Sequence, residues 1–464
     1  MIGAGAAGLS ITFVAAGLGL RVAIFERARM GGDCLNNGCV PSKALLTAAR
    51  VARDARRAAR YGIRLPEPEV DWDALRAHVH GAIETIAPMD SEERYRGLGA
   101  EVVRAEVRFA SPGTLIAAGR SYAPRRIVVA AGSRAAIPPI PGLAETPHLT
   151  NETLFEMRER PAHLLILGGG AIGTEMAQAH AALGCQVTLV EATRLLNRED
   201  PDLAAVIRDA LVEDGVTIIE DTKVTAVEPG PTLVLEDGRR ITGTHLLVAV
   251  GRRANIDDLG LDAGNVAHTL RGVATDAGLR STTNPRVFAS GDIADPEGIG
   301  PRQFTHVGSF HATILARRMI FRLPARLDYA ALPRVTYTDP ELASVGLTAE
   351  EARKSGQAVQ VLDWPMHEND RAIAEGRPQG LARLVVSKRG KLLGAGIAAP
   401  HAGEMIGLLT HAVAKGLPAS ALTNLIVPYP TRAEAVKRAA GRPGLERLFA
   451  AGPRWVARRL MALG

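Results

Sequence analysis

Met1-Ile2-Gly3-Ala4-Gly5-Ala6-Ala7-Gly8 opens the chain, and Leu164-Leu165-Ile166-Leu167-Gly168-Gly169-Gly170-Ala171-Ile172-Gly173 repeats its pattern 165 residues later. Each G-x-G-x-x-G leads into a helical stretch and then an apolar strand, Val22 to Phe25 in the first copy and Val187 to Val190 in the second. An acid closes each strand: Glu26 and Glu191 both stand 18 residues after the third glycine of their copy. This is the fingerprint of a dinucleotide-binding βαβ unit. The glycines let the backbone approach a pyrophosphate, the helix N-terminus faces its charge, and the acid takes a ribose hydroxyl pair. Both copies keep every feature the fingerprint needs, so two separate dinucleotides are expected rather than one site and a decayed copy.

Working forward from the first copy, only Met1 and Ile2 precede Gly3, whereas the unit needs a strand of about five residues there. The expectation is a shortened strand or a start several residues upstream. Met1 to Leu20 carries no charged residue and has the length of a membrane span. Its glycines at 3, 5, 8, 17 and 19 suit a phosphate-binding turn better, and no basic n-region marks a signal peptide.

Directly after the first unit comes Gly31-Gly32-Asp33-Cys34-Leu35-Asn36-Asn37-Gly38-Cys39-Val40-Pro41-Ser42-Lys43. The chain has 464 residues and 3 cysteines, and two of them stand here, which argues against stapling. A thiol pair set behind a dinucleotide motif suggests a redox disulfide fed by a flavin. A zinc half-site would need two further ligands, and Cys185 and the scattered histidines provide no second pair at ligand spacing. Cys185, just before a strand, reads as a buried structural thiol.

The length implies about three domains. Hydrophobic residues at 47% and charged residues at 22% are ordinary for a soluble globular chain. The net charge of +6 is spread along an Arg-rich sequence with few aromatics, so no nucleic-acid partner is expected. So few cysteines fit a reducing cytoplasm. Helical patterns run over roughly 41–60 and 73–97. Strand–glycine pairs end at Gly132 and Gly251, Gly291-Asp292 closes a further strand, and Pro138, Pro139 and Pro141 read as a linker. From about 332, alternating stretches such as Ala382 to Val386 flank helical segments near 348–355 and 402–416, an α+β pattern.

With these residues in view the chain resembles the class I pyridine nucleotide-disulfide oxidoreductases, which include dihydrolipoamide dehydrogenase, glutathione reductase and mercuric reductase. The resemblance spans about 1–440 and rests on G-G-x-C-x-N-x-G-C-x-P-[ST]-K, matched from Gly31 to Lys43. It implies an α/β fold of two Rossmann-like domains and a C-terminal α+β dimerisation domain. The expected division is an FAD-binding domain over 1–148 and 270–330, an NAD(P)-binding domain over 149–269, a dimerisation domain over 331–440 and a basic tail over 441–464. By this resemblance Gly3, Gly5, Gly8, Glu26, Gly132, Gly291 and Asp292 serve FAD. Gly168, Gly170, Gly173, Glu191 and Gly251 serve NADH or NADPH. Cys39 becomes the flavin-side thiolate and Cys34 the interchange thiol. Lys43 is implied beside the flavin, with Glu175 the acid that pairs with it. The implied assembly is a homodimer. The sequence also places Cys39 just before a helix with Pro41 at its first position, where the helix N-terminus favours a thiolate.

One departure limits the substrate. Disulfide reductases of the family carry a histidine and a glutamate in a run like H-x-H-P-T-x-x-E. Here the run is Val427-Pro428-Tyr429-Pro430-Thr431-Arg432-Ala433-Glu434, with Tyr429 at the histidine's place and Glu434 retained. A phenol with a pKa of ~10 is a poor base at neutral pH, which argues against lipoamide or glutathione. Mercuric reductases have a tyrosine there, and metal reduction needs no proton for a leaving thiol. Arg198-Glu199-Asp200-Pro201 and Asp90-Ser91 also resemble that branch. The N-terminal metal-binding module and the C-terminal cysteine pair of mercuric reductases find no match. The expectation is therefore a mercuric reductase-like FAD enzyme passing electrons through Cys34/Cys39 to a soft metal ion or other small acceptor. A dihydrolipoamide dehydrogenase-type enzyme and a flavin redox sensor remain as alternatives. Glu191 favours NADH, and Arg194 is placed to offset this for NADPH. In the tail, Leu445, Leu448, Phe449, Trp455 and Leu460 alternate with arginines, read first as a surface helix packed on the dimer and second as a membrane contact.

Overall fold

The computed structural model describes residues 1–463. The chain forms two compact units. One comprises Met1–Ala49, Glu69–Gly168 and Val224–Leu327; the other comprises Arg50–Pro68, Gly169–Lys223 and the chain from Asp328 onward.

The first unit is built on short parallel strands with apolar centres. Ala23–Glu26 pairs with Glu101–Arg104, and Ile127–Val129 pairs with Val287–Ala289. Ile2 bridges both Phe25 and Val129, so the two residues before Gly3 supply the central strand. Ile24, Phe25, Val128, Val129, Val287 and Phe288 are all buried. A strand covered on both faces needs such runs, without the alternation of a half-exposed strand. The helix Ala6–Gly17 follows the first glycine loop and packs against Thr305–Leu315. A Cβ on Gly308 would lie 3.1 Å from the Ala7 methyl, so the small residues Ala7 and Gly308 set how closely these helices pack. In the same unit His163–Leu167 runs parallel to His245–Val248. The Pro138 to Pro141 stretch is no free linker: the Pro141 carbonyl accepts from Val227 N at 2.8 Å, and Leu143 beyond it is fully buried.

The second unit carries the helix Ala171–Ala182, the parallel pair Gln186–Val190 and Thr217–Ile219, and a five-stranded antiparallel sheet. That sheet has the order Pro333–Thr336, Glu341–Gly346, Leu392–Ala399, Leu381–Ser387, Val359–Pro365. The helices Ala402–Ala414 and Glu434–Leu448 cover it, burying Leu384, Ile397, Leu409 and Ala439 in one core. This is the α+β pattern read from about residue 332. Arg53 is buried here between Asp214 and Asp339, each at 2.9 Å. Removing one partner of such a triad leaves an uncompensated buried charge, a loss of about 3–5 kcal/mol.

Candidate active site

The two glycine loops have the same local construction. Gly3 and Gly168 adopt φ of 102° and 109°, a region L side chains rarely enter. A Cβ there would lie 2.4 Å from the Ala130 carbonyl oxygen and 2.6 Å from that of Ala249. Gly5 and Gly170 are the N-caps of their helices, without a capping side chain, which leaves the first N–H groups for a ligand. Gly8 allows the helix to sit on its loop, since a Cβ there would meet the Gly3 oxygen at 2.0 Å. Gly173 is buried in the second helix.

Both strand-end acids are preset. Glu26 accepts from Ala4 N at 2.8 Å and Ala28 N at 2.7 Å. Glu191 accepts from Gly169 N at 2.6 Å and from Thr193 N at 3.0 Å. Each carboxylate is thus held beside its loop with acceptor capacity left for a diol. Arg194 does not stand ready for a 2′-phosphate. Its guanidinium donates to the carbonyls of Asn197 at 3.4 Å and Glu199 at 3.1 Å, and its Nη1 is buried.

The redox stretch begins where the first loop ends: Gly31 N donates to Ala4 O at 2.9 Å. Cys34 lies in the short helix Gly32–Asn36. The long helix begins at Cys39 itself and runs to Arg57, two residues earlier than the Pro41 start read from the sequence. Proline fits its third position because the amides of the first turn have no intrahelical acceptor. Cys39 is therefore inside the positive end of the helix, a stronger version of the expected placement.

The two sulfurs differ. Cys34 donates to Cys39, which lowers the Cys39 pKa to about 6, with Thr305 and the Lys43 ammonium adding in the same direction. The same hydrogen bond, then burial, pushes the Cys34 thiol far up. The Cys39 Sγ to Thr305 Oγ1 distance is 3.2 Å. Both shifts favour negative charge on Cys39 over Cys34.

Arg252 ties this stretch to the Gly-Asp turn. Its Nη2 is 3.1 Å from Asp33 Oδ2, and its Nε donates to Ser133 Oγ at 2.7 Å. Ser133 in turn donates to Asp292 Oδ2 at 2.5 Å. Asn151 braces the far side, donating to Asp33 Oδ1 at 2.9 Å and to the Asn37 carbonyl at 3.3 Å. Burial pushes the Asp292 carboxyl up, opposed by Ser133 and Arg252. Gly291 N donates to His311 Nδ1 at 2.9 Å, and burial holds His311 down at about 4, neutral as this acceptor role requires. Gly132 and Gly251 have positive φ and open space where a Cβ would point. The turn and the first loop fit an extended phosphate-bearing ligand: bare helix amides, no side chain over Gly132, and a preset carboxylate at Glu26.

A cavity of about 730 Å³ opens beside the pair. Cys34 and Thr305 line it, with apolar walls from Leu9, Phe13, Leu35 and Phe321 and charged groups from Asp90, Arg94 and Arg317. Among the described residues no cluster of His, Cys, Asp or Glu could hold a metal ion.

Lys43 has its Nζ 3.4 Å from Ser42 Oγ. Glu175 is buried and accepts from Tyr337 N at 2.9 Å. Tyr429 is exposed, its hydroxyl donating to Asp370 Oδ2 at 3.0 Å, and the Asp370 carboxylate raises its pKa. Glu434 is the first residue of the helix Glu434–Leu448. The sequence pattern singled out Gly132 and Gly251 but not Ser133 and Arg252 beside them, nor Thr305, Asn151 and His311. The polar character of Ser133 and Arg252 after a buried strand and its glycine was the available signal.

Two family models match this chain: "Pyridine nucleotide-disulphide oxidoreductase" over residues 1–313 and its dimerisation domain over residues 332–440. The chain belongs to the pyridine nucleotide-disulphide oxidoreductases. Members of this family are oxidoreductases that use FAD and NAD(P)H. A mercuric reductase of Streptomyces lividans is 37% identical over 459 residues, covering 95% of this chain and 94% of its own. A dihydrolipoyl dehydrogenase of Chlamydia trachomatis is 32% identical, with 94% of each chain covered. Among solved structures, the Cu(II) complex of the HOCl-induced flavoprotein disulfide reductase RclA of Escherichia coli superposes with a TM-score of 0.84 at 27% identity, covering 94% of this chain and 98% of its own. Among the described residues no helix is long and apolar enough to cross a membrane.

Proposed function

We propose that this chain is a homodimeric, NADH-preferring flavoenzyme that delivers electrons through Cys34/Cys39 to a soft metal ion such as Hg(II), presented as a complex with small thiols. FAD, held by the first glycine loop, Glu26, Gly132 and the Gly291-Asp292 turn, supplies the two-electron link between nicotinamide and the cysteine pair. The observation that carries the acceptor is Tyr429 at the place of the family's histidine. Its hydroxyl is bound to Asp370, which raises its pKa, so it keeps its proton at neutral pH and offers no base to a dithiol. Reduction of a thiol-bound soft cation needs no such base.

The division of labour within the pair supports the same reading. Cys39 holds the negative charge, and Cys34 faces the cavity where an acceptor would arrive. That cavity is far larger than a bare ion and falls in the range of small-molecule sites. Its apolar walls suit the carbon skeleton of a thiol ligand, and the mixed charges of Asp90, Arg94 and Arg317 suit the polar groups it carries. NADH preference follows from Glu191, whose carboxylate repels a 2′-phosphate, and from an Arg194 engaged elsewhere.

The test is steady-state NADH oxidation with a panel of acceptors: Hg(II) with excess small thiol, Cu(II), lipoamide, glutathione disulfide and a quinone. Thiol-complexed Hg(II) is expected to turn over and lipoamide is not, and Cys34→Ser is expected to abolish metal-dependent turnover. Brisk lipoamide turnover, unchanged in Tyr429→Phe, would refute this assignment in favour of a dihydrolipoamide dehydrogenase-type enzyme. No turnover with any acceptor would favour a redox sensor.

A further inference from the structure

The tail lies beyond the dimerisation match, which ends at residue 440. The helix Glu434–Leu448 is anchored in its first half, where Ala435, Val436, Ala439 and Ala440 are buried. From residue 444 to 463 every residue is exposed. A second helix, Ala451–Met461, follows and buries none of its side chains.

Its pattern is two-sided. Val456 and Leu460 stand four apart on one face, and Arg454 and Arg458 stand four apart on the other, as i and i+4 residues share a helix face. Aromatic rings sit between the two characters. The Arg459 guanidinium lies 5.2 Å above the Trp455 ring, and that of Arg454 lies 6.0 Å from the Phe449 ring. Trp455 is 60% and Leu460 is 62% exposed. Between 441 and 464 there are 5 arginines, at 442, 447, 454, 458 and 459, against the single acid Glu446.

We propose that this tail is an interfacial helix that seats the enzyme on an anionic lipid surface. The charge decides the occupant. A second copy of the tail would set arginine against arginine, whereas phosphate headgroups complement the whole cationic face. Leu448, Val456 and Leu460 would enter the acyl boundary, Trp455 and Phe449 would sit at headgroup level, and the arginines would reach outward along their stems. A helix of 11 residues is too short to span a bilayer, which needs about 20, so it lies in the plane of the surface.

The experiment is flotation of the full-length, FAD-loaded protein with vesicles of mixed phosphatidylcholine and phosphatidylglycerol, against pure phosphatidylcholine. Co-flotation with the anionic vesicles at low salt, lost at high salt, is expected. Changing Arg454, Arg458 and Arg459 to Gln together is expected to lower the partition coefficient roughly a hundredfold, at about fivefold per arginine. Trp455→Ser with Leu460→Ser is expected to abolish flotation, while NADH oxidation with an artificial acceptor stays unchanged. Failure of the unmodified protein to float with anionic vesicles would overturn the proposal. So would flotation that the tail variants leave intact, or a change from dimer to monomer in those variants by light scattering, which would assign the face to a second copy.

Discussion

The two dinucleotide loops of this chain agree residue for residue up to one point and then part. Gly3 matches Gly168, the Gly5 cap matches the Gly170 cap, and Glu26 matches Glu191 in both of its backbone hydrogen bonds. The return of the chain across the loop also matches: Gly31 N donates to Ala4 O, and Leu196 N donates to Gly169 O, each at 2.9 Å. Gly31 and Leu196 even share a positive φ, 87° and 49°. After that bond the first copy continues into the cysteine stretch, and the second continues through Asp200 into the helix Pro201–Glu213. The lesson is that binding and redox chemistry are separable here. In the function proposed above, the shared part would make a dinucleotide site, and the segment attached to its exit would decide whether that site drives a thiol pair.

The strongest way to break this comparison is to disable each loop alone. Gly3→Ala places a methyl against the Ala130 carbonyl in a backbone region hostile to alanine. A loss of about 3 kcal/mol in cofactor binding, or roughly a hundredfold, is expected, read from the flavin absorbance that purifies with the protein. Gly168→Ala is expected to retain flavin and lose reduction by NADH instead. Flavin loss in both variants would show that the loops are not independent.

Next in size come the acids. Glu191→Gln removes a charged acceptor and is expected to lower kcat/KM for NADH by about 2 kcal/mol, roughly thirtyfold. NADPH should be affected far less, so that the preference narrows. Glu26→Gln should leave the NADH/NADPH ratio alone and weaken flavin retention. A changed nucleotide ratio in Glu26→Gln would contradict the assignment of the two copies.

The smallest effect concerns the segment that distinguishes the first copy. The Cys39 pKa of about 6 lies below the ordinary thiol range, so its thiolate persists at neutral pH and is lost as pH falls through that value. Alkylation of the reduced protein should follow this midpoint. Thr305→Val removes one hydrogen bond to the sulfur and is expected to raise the midpoint by about one unit. An unmoved midpoint would leave Cys34, Lys43 and the helix end as its only supports.

Both glycine fingerprints, their acids, the cysteine stretch and the α+β domain were legible in the sequence because each is a local pattern whose spacing carries its physics. The helix start at Cys39 was misplaced because proline is tolerated throughout a first turn, so Pro41 marks the turn and not the position. Arg252 was not legible as a site residue. Its partners Asp33, Ser133 and Asp292 lie far away along the chain, and no periodicity announces a contact made by topology. The local bonds of Arg194 were not legible for a related reason: proximity to Glu191 in sequence did not reveal that its guanidinium donates to the carbonyls of Asn197 and Glu199.

Arg252 holds Asp33, next to Cys34, with one hand and the Ser133–Asp292 pair with the other. A single guanidinium thus bridges the cysteine stretch and the Gly-Asp turn, while Asn151 braces the cysteine stretch from its other side. A change at Arg252 is therefore expected to reach both segments at once.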